Sequence, residues 1–290
     1  MTDRGKSLAM LIAALAIFGT NGVVVRLCGL PSSVIASVRG LIGAVTLVII
    51  SAARGEMVSF KGIAPGALAR IALTGACMGI NWVLLFEAFR TASVAISTVV
   101  YYIAPALVVA VSPFILHERF SPVRFACVLV SFAGLALITG FDGAATGTGI
   151  ACALGAAVFY ASVIMLNTTF AEVDYRVRTI VQIGVAGLVT LPYAFAAGGF
   201  AEAAFTPRAI IYLLVLGIIY TGIAYALYFA AFSGLEAQEV SILSYVDPVI
   251  AVICSALVLS EPLTLTSLVG AVLIIGSSII SEVLTTRASS

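Results

Sequence analysis

Two forty-residue segments decide the fold of this chain: GINWVLLFEAFRTASVAISTVVYYIAPALVVAVSPFILHE at 79–118 and GIAYALYFAAFSGLEAQEVSILSYVDPVIAVICSALVLSE at 222–261. They align without a gap at an offset of 143 residues, with twelve of the forty positions identical. Matches of leucine or valine are common in an apolar chain. Matches of tyrosine, proline and glutamate are not, and they occur at Tyr102 and Tyr245, Pro105 and Pro248, and Glu118 and Glu261. The two segments therefore indicate an internal duplication.

The composition places this duplication in a membrane. Of 290 residues, 62% are hydrophobic and 9% are charged, and the mean hydropathy is +1.21. A soluble domain has about 25% charged residues, so this chain cannot cover a globule with polar surface. Soluble enzymes, nucleic-acid binders and disordered proteins are excluded, and a net charge of +1 suggests no polyanionic partner. We predict an all-α integral membrane protein whose surroundings are the lipid bilayer.

Apolar runs of about 20 residues predict membrane-spanning helices. Charge clusters and Gly, Pro and Ser residues divide the chain into ten such runs, with short loops between them. The predicted spans are 8–27, 33–53, 67–89, 92–115, 122–140, 148–168, 179–197, 208–232, 236–259 and 264–284.

The duplicated unit contains five spans, an odd number, so the second copy enters the bilayer inverted. The predicted fold is thus ten transmembrane helices in two inverted five-helix repeats, residues 1–143 (spans one to five) and 144–290 (spans six to ten). Inverted repeats of this kind are typical of secondary transporters. Rocking of two equivalent halves gives inward-facing and outward-facing states of similar energy, as alternating access requires.

Basic residues predict the orientation through the positive-inside rule. A cytoplasmic N-terminus puts ten basic residues on the cytoplasmic side and three, Arg26, Arg90 and Arg208, on the other. We therefore expect a multi-pass protein of the cell inner (plasma) membrane with both termini cytoplasmic, for which a monomer suffices. The ten are Arg4, Lys6, Arg54, Lys61, Arg70, Arg119, Arg124, Arg176, Arg178 and Arg287.

Particular motifs add a resemblance to a known family. Phe18-Gly19-Thr20-Asn21 in span one, Arg39 in span two and the Tyr-x-x-Pro segments ending in Glu118 and Glu261 resemble the drug/metabolite transporter superfamily, in its EamA-type ten-helix exporters. The resemblance covers almost the whole chain. It implies export of amino acids, aromatic ones included, or of related metabolites. Members of the family often have Trp-Gly-Ser-Asn in span one, where this chain has Phe-Gly-Thr-Asn. This departure leaves the identity of the substrate open.

Polar and aromatic residues inside the spans are the candidates for a substrate site, since such residues usually face a protein interior or water. In spans four and nine they follow helical spacing and end at a proline, which predicts two related faces around one central cavity. Aromatic rings could hold an apolar side chain or an ammonium group, and hydroxyls and amides could orient a carboxylate. Helix–helix hydrogen bonding and core packing are the alternatives. The candidate substrate-binding residues are Asn21, Asn81, Trp82, Thr98, Tyr101, Tyr102, Tyr160, Gln182, Tyr225, Ser244 and Tyr245.

Prolines and acids supply the candidate moving parts. Pro105 and Pro248 are expected to break their helices near the membrane centre, and Glu118 and Glu261 to stabilise turns or gate them by salt bridge. Asp247 has no acidic mate, since the equivalent residue is Ala104. It is a candidate for proton coupling or for binding a substrate ammonium. Alternatively it caps the broken helix or pairs with Arg39, whose expected role is structural.

These features predict a secondary transporter that exports small metabolites, most of all amino acids, through a cavity lined by aromatic and hydroxyl groups. The sequence contains no ATP-binding motif, and five scattered cysteines with one histidine make no metal site, so no cofactor, metal or catalytic residue is expected. A multidrug or nucleotide-sugar-type transporter of the same superfamily is the alternative. An intramembrane enzyme would need paired catalytic groups at one depth, and only Asp247 lies deep.

Overall fold

The computed structural model describes residues 3–55, 58–92, 94–140, 146–170, 172–259 and 264–288, whose regular elements are all helical. Eight described helical segments are long and apolar enough to cross a membrane, and two shorter apolar helices, Pro122–Ile138 and Leu268–Ser281, lie at predicted spans five and ten. An all-helical membrane protein is thereby confirmed, whereas ten spans stay a prediction. The eight segments are Asp3–Cys28, Ser32–Ala53, Pro65–Thr91, Ile96–Ile115, Gly147–Thr168, Tyr175–Ala196, Pro207–Ala231 and Ala237–Val258.

Several predicted spans consist of more than one helical segment. Predicted spans four, eight and nine are each divided, and the helix of span three continues to Thr91, two residues beyond the predicted end of that span. In chain order the segments are α1 (Asp3–Cys28), α2 (Ser32–Ala53), α3 (Pro65–Thr91), α4 (Val94–Tyr101), α5 (Ala104–Ile115), α6 (Pro122–Thr139), α7 (Gly147–Thr168), α8 (Tyr175–Ala196), α9 (Gly199–Glu202), α10 (Pro207–Val215), a π-helical segment π1 (Leu216–Ile223), α11 (Ala224–Ala231), α12 (Ala237–Leu243), α13 (Val246–Leu259) and α14 (Leu265–Ala288).

Side-chain caps fix where several of these helices begin. Ser121, Thr146 and Thr206 accept backbone N–H bonds at the starts of α6, α7 and α10, at 3.0 to 3.3 Å. Asp174 does the same for α8 at 2.8 Å and also accepts from the Arg176 guanidinium, which lowers the pKa of Asp174. Each cap satisfies a donor that the first helical turn leaves unpaired, so short loops suffice between long helices.

Glycines allow the closest helix contacts. A Cβ added to Gly270 of α14 would lie 2.4 Å from the carbonyl oxygen of Gly134 in α6. On α2, a Cβ at Gly40 would lie 2.9 Å from the carbonyl oxygen of Ile183 in α8. Without water or a hydrophobic driving force between helices, such close backbone packing is a main source of stability in a bilayer. The glycines thus hold α6 to α14 and α2 to α8.

The packing of the helices has the same pattern in both halves. The most extensive contacts join α3 to α7 and α8, α2 to α8 and π1, α6 to α14, and α1 to α11 and α13. When the first five predicted spans are exchanged with the last five, each of these pairs becomes another pair of the set or itself, except α1–α13, which becomes the contact of α7 with α4 and α5. The arrangement leaves a space at the centre, bordered by both halves.

Candidate functional site

A cavity lies at the centre of the helices and has two adjoining parts, of about 510 Å³ and 240 Å³. The two parts share much of their lining, which comes from α1, α2, α3, α4, α7 and α11. Cavities of about 300–1,000 Å³ are usual for small-molecule ligands, so the space is of the right size for a metabolite. The shared lining residues are Asn21, Arg39, Leu85, Phe89, Tyr101, Tyr160, Tyr225 and Tyr228.

The cavity reaches the surface at the end of the molecule where α1 ends and α2 begins. The larger part is lined there by Arg26 and Ser32, both exposed. The smaller part extends inward to Phe18 and Asp247. Residues 4 to 18 of α1 span about 21 Å at 1.5 Å per residue, and Leu11 and Leu15 in that stretch are at most 2% exposed. The opposite end is therefore closed by packed protein.

Aromatic rings form most of the wall. The rings of Phe18 and Tyr225 lie 4.9 Å apart between centroids, and those of Tyr101 and Tyr160 are stacked at 5.3 Å. Trp82 lies 6.2 Å from Tyr225. Rings at these separations stabilise one another beyond the burial of their area, and together they form an apolar surface that a flat or aliphatic group can contact.

The breaks in spans four and nine meet behind this wall. Tyr102 lies between α4 and α5, and its repeat mate Tyr245 lies between α12 and α13. The Tyr245 hydroxyl donates to the backbone carbonyl of Tyr102 at 2.7 Å, and the Tyr102 hydroxyl donates to Asp247 Oδ2 at 3.2 Å. Pro105 and Pro248 follow closely in the next helix of each half, so both breaks precede a proline. One break thus supplies a hydrogen bond to the other.

Arg39 of α2 brings a positive charge into the cavity. Its Cζ lies 4.6 Å from the centroid of the Trp82 ring, and its Nη1 donates to Asn21 Oδ1 at 3.5 Å. Its Nε has no hydrogen-bond partner among the described residues. Asp247 lines the same part of the cavity, yet the described side chains include no ion pair between the two. The alternative of an Arg39–Asp247 pair is wrong for this structure.

Eight of the eleven predicted substrate-binding residues line the cavity, and three do not. Tyr245 is fully buried behind Tyr102, and Ser244, the residue directly after α12, donates to the Val240 carbonyl of that helix. Gln182 forms reciprocal amide bonds with Asn167, at 3.0 and 3.1 Å. Their polar groups are occupied inside the protein. The eight lining residues are Asn21, Asn81, Trp82, Thr98, Tyr101, Tyr102, Tyr160 and Tyr225.

Several lining residues lie outside the predicted substrate-binding set, among them Phe18, Arg39, Tyr220 and Tyr228. Arg39 and Asp247 both face the cavity, so its lining contains charged groups in addition to the expected aromatic rings and hydroxyls. Tyr228 shares a helical face with Tyr225 in span eight, so the sequence itself contains a signal for its position. The π-helical turn that brings Tyr220 inward, with its hydroxyl 2.7 Å from that of Thr20, leaves no comparable signal in the sequence.

An ion-pair network joins three elements at the closed end. Arg124 of α6 pairs with Glu236, and also with Glu239 of α12 at 3.6 Å, while Arg4 of α1 pairs with Glu239 at 2.8 Å. The side chains of Arg124 and Glu239 are only 10% and 5% exposed. Partly buried, multiply bonded pairs hold elements together better than exposed ones. The network therefore ties α1, α6 and α12 where the cavity is closed.

Of the two glutamates predicted to stabilise turns, Glu118 lies near this network. Glu118 Oε1 accepts the backbone N–H of Ala237 at 3.0 Å, so it joins the α5–α6 connection to the start of α12. Glu261 lies outside the described residues. At the open end, Glu87 accepts from Arg90 at 2.7 Å and from Tyr193 at 2.5 Å, which links α3 to α8.

The closed-end network has no charged counterpart at the repeat-equivalent positions. Those positions are found by adding or subtracting 143, and in the sequence they carry no formal charge. For Arg4, Arg124, Glu236 and Glu239 they are Gly147, Ser267, Ser93 and Ile96.

Comparison with known proteins gives consistent relatives. The model of the EamA-like transporter family matches the chain twice, over residues 5–140 and 147–282. An uncharacterized transporter of Bacillus subtilis (strain 168), YxxF, is 30% identical over 260 residues, covering 87% of this chain and 82% of the relative. A second from the same organism, YvbV, is 27% identical over 280 residues, covering 93% and 89%. A crystal structure with 19% identity superposes with a TM-score of 0.84 over 99% of both chains, a likeness of fold.

Proposed function

The chain belongs to the EamA-like transporter family of the drug/metabolite transporter superfamily, and we propose that it is a secondary transporter exporting small metabolites, foremost amino acids. The observation that carries this proposal is the central cavity, open at the Arg26 end and closed at the Arg4 end. A solute can enter such a cavity from one side only. Alternating access then requires a second state in which the open and closed ends are exchanged.

The proposed basis of that exchange is a pair of inverted five-helix repeats, 1–143 and 144–290, forming ten spans. Three observations support it: the duplicated forty-residue segments, the family model that matches each half, and the packing pattern that survives exchange of the halves. The helix breaks at Tyr102 and Tyr245 occur at equivalent positions. Broken helices at the substrate site are usual in transporters built from repeats.

The proposed orientation follows from the basic residues, ten of which favour the cytoplasmic side. The chain would then lie in the inner membrane with both termini cytoplasmic. The Arg4 end, with the ion-pair network, would be cytoplasmic, and the cavity would be open to the outside. In an exporter this is the state from which substrate is released, and a monomer contains the entire path.

The cavity lining favours a small solute with balanced charges. Aromatic rings supply most of the surface, and the inner part contains one arginine and one aspartate, Arg39 and Asp247. A nucleotide sugar would need several cations around its phosphates. An amino acid needs one partner for each charge and an apolar surface for its side chain. Asp247 is also the proposed site of any proton coupling.

A second candidate function is efflux of hydrophobic cations. Asp247 together with Tyr101, Tyr160 and Tyr225 offers a carboxylate and ring faces, to which an amphipathic cation could bind. Arg39 in the same space disfavours this function by charge repulsion.

Flux in liposomes tests the two candidates. The purified protein would be reconstituted with labelled L-phenylalanine, L-alanine or tetraphenylphosphonium, with protein-free liposomes as the blank. We expect amino-acid exchange above the blank and slower movement of the cation. Cation flux without amino-acid flux would contradict the proposed substrate, and no flux of any of the three would contradict both candidates.

A further inference from the structure

The inner part of the cavity contains an arginine without an anionic partner. Arg39 faces the ring of Trp82 and the amide oxygen of Asn21, and no described carboxylate forms an ion pair with it. An intramembrane charge is costly and is normally paired or functional. A ring face stabilises the cation but gives its N–H groups no acceptor comparable to an oxygen anion.

Most of the hydrogen-bonding capacity of Arg39 remains available. A guanidinium has five N–H donors, and the bond to Asn21, at 3.5 Å, is long. The Nε–H in particular has no described partner. The planar fork of donors matches a carboxylate, to which an arginine can form two parallel hydrogen bonds. Such a pair is among the strong hydrogen-bonded pairs of an arginine.

A carboxylate in the same part of the cavity is also incompletely bonded. Asp247 Oδ2 accepts one hydrogen bond, from Tyr102 at 3.2 Å, while an ionised carboxylate has about four lone-pair sites. The opposite charges of Arg39 and Asp247 are more than 4.0 Å apart, although both line one cavity. The structure thus keeps a positive and a negative group apart within a space of about 240 Å³.

We propose that Arg39 binds the carboxylate of the substrate and that Asp247, oriented by Tyr102, binds its ammonium group. An α-amino acid carries both groups on one carbon and can satisfy both residues together. A solute with only one of the charges leaves the other residue unpaired in the cavity, so the pair selects against it. This assignment rests on the proposed amino-acid transport and names the residues that determine its selectivity.

The test uses three probes that differ only in charged groups: L-phenylalanine, phenethylamine without the carboxylate, and 3-phenylpropionate without the ammonium. Each competes with labelled L-phenylalanine for exchange in liposomes, and each is also measured for binding by thermal shift of the purified protein. In the wild type we expect both analogues to bind at least about 10-fold more weakly than L-phenylalanine, since a hydrogen-bonded charge is lost.

Two variants give opposite patterns. Arg39→Gln is expected to weaken the binding of L-phenylalanine and 3-phenylpropionate by roughly 10- to 100-fold. The binding of phenethylamine should stay within about 3-fold of its wild-type value. Asp247→Asn is expected to weaken the binding of L-phenylalanine and phenethylamine and to leave the binding of 3-phenylpropionate unchanged. Arg39→Lys retains the charge without the planar fork and should lie between wild type and Arg39→Gln.

Arg208→Gln is the matched control, because Arg208 also lies over an aromatic ring, Tyr212 at 5.6 Å, but outside the cavity. It should leave all three probes unchanged. Equal weakening of all three probes by Arg39→Gln would indicate a structural role and overturn the assignment. If Arg39→Gln does not fold, wild-type protein that binds phenethylamine or 3-phenylpropionate as tightly as L-phenylalanine overturns it equally.

The outcomes separate this assignment from the proposed function. Amino-acid exchange that persists without the two opposite patterns would contradict only the roles of Arg39 and Asp247. Absence of amino-acid exchange in the wild type would contradict the proposed function itself.

Discussion

The Tyr245 hydroxyl donates a hydrogen bond to the main-chain carbonyl of Tyr102, its own repeat equivalent, at 2.7 Å. The relationship is not reciprocal, because the Tyr102 hydroxyl turns to Asp247 instead. The cause is visible in the sequence, where Asp247 is matched by Ala104. The two helix breaks are equivalent in the repeat but differ in role. Tyr245 supports the main chain of the other break, whereas Tyr102 faces the cavity and bonds to Asp247.

Removal of the Tyr245 hydroxyl should destabilise the protein. Tyr245→Phe leaves the Tyr102 carbonyl without its partner beside a helix break, which costs about 1 kcal/mol. We expect a lower melting temperature in detergent. Tyr175→Phe, at an exposed tyrosine, is the control and should melt with the wild type. Equal melting of Tyr245→Phe and wild type would show that this bond contributes nothing to stability.

Loss of the Tyr102 hydroxyl should reduce transport more than stability. Tyr102→Phe frees Asp247 from its described partner, so the carboxylate is no longer oriented in the cavity. We expect exchange of L-phenylalanine to fall at least about 5-fold, since one charge-assisted hydrogen bond is lost. Tyr193→Phe is the matched control, because Tyr193 also donates to a carboxylate, Glu87, away from the cavity. Equal losses in the two variants would argue against a role for Tyr102 in the site.

The contact of α6 with α14 should tolerate no side chain at Gly270. In Gly270→Ala the new Cβ would lie 2.4 Å from the Gly134 carbonyl oxygen, and overpacking of this kind costs about 1–3 kcal/mol. Gly276→Ala in the same helix meets no atom within 4 Å and should be neutral or slightly stabilising, since alanine is the better helix former. Thermal unfolding of both variants checks this, and unfolding of Gly270→Ala at or above the wild-type temperature would contradict the packing.

Weakening of the closed-end network should open that end more often. Arg124→Gln removes the charge that joins α6 to Glu236 and Glu239, and the repeat-equivalent positions in the sequence carry no charge. A cysteine placed at Thr98 in the cavity, in a cysteine-free background, reports which end is open. We expect faster modification from the Arg4 side by a membrane-impermeant maleimide. An unchanged rate from that side would mean that packing alone closes the cavity.

Much of the site could be predicted because the relevant signals are local. The Tyr-x-x-Pro pattern located both helix breaks, and helical spacing identified Tyr101 and Tyr225 as cavity residues. Tyr245 could not be distinguished from Tyr102, since the two share the same motif and only tertiary packing decides which of them is buried. The position of Gln182 could not be predicted for a similar reason, because its hydrogen-bond partner Asn167 lies on another helix.

The relative positions of the charged residues in the cavity were harder to predict from the sequence than those of the tyrosines. A lone arginine in a span is expected to find an acid, and Asp247 was the available one. Whether the two meet depends on how α2 and α13 are placed around the cavity, which no spacing within either helix reveals. The structure leaves Arg39 over Trp82 and Asp247 against Tyr102, and this separation favours substrate binding by the two residues over the alternative of a structural pair.

Covalent obstruction of the cavity tests most directly whether it is the transport path. Thr98→Cys in a cysteine-free background would be modified by an impermeant maleimide added from the Arg26 side, and L-phenylalanine exchange would be measured in the same liposomes. We expect modification to abolish exchange and excess L-phenylalanine to slow the modification. Full exchange by completely modified protein would show that the cavity is not the transport path.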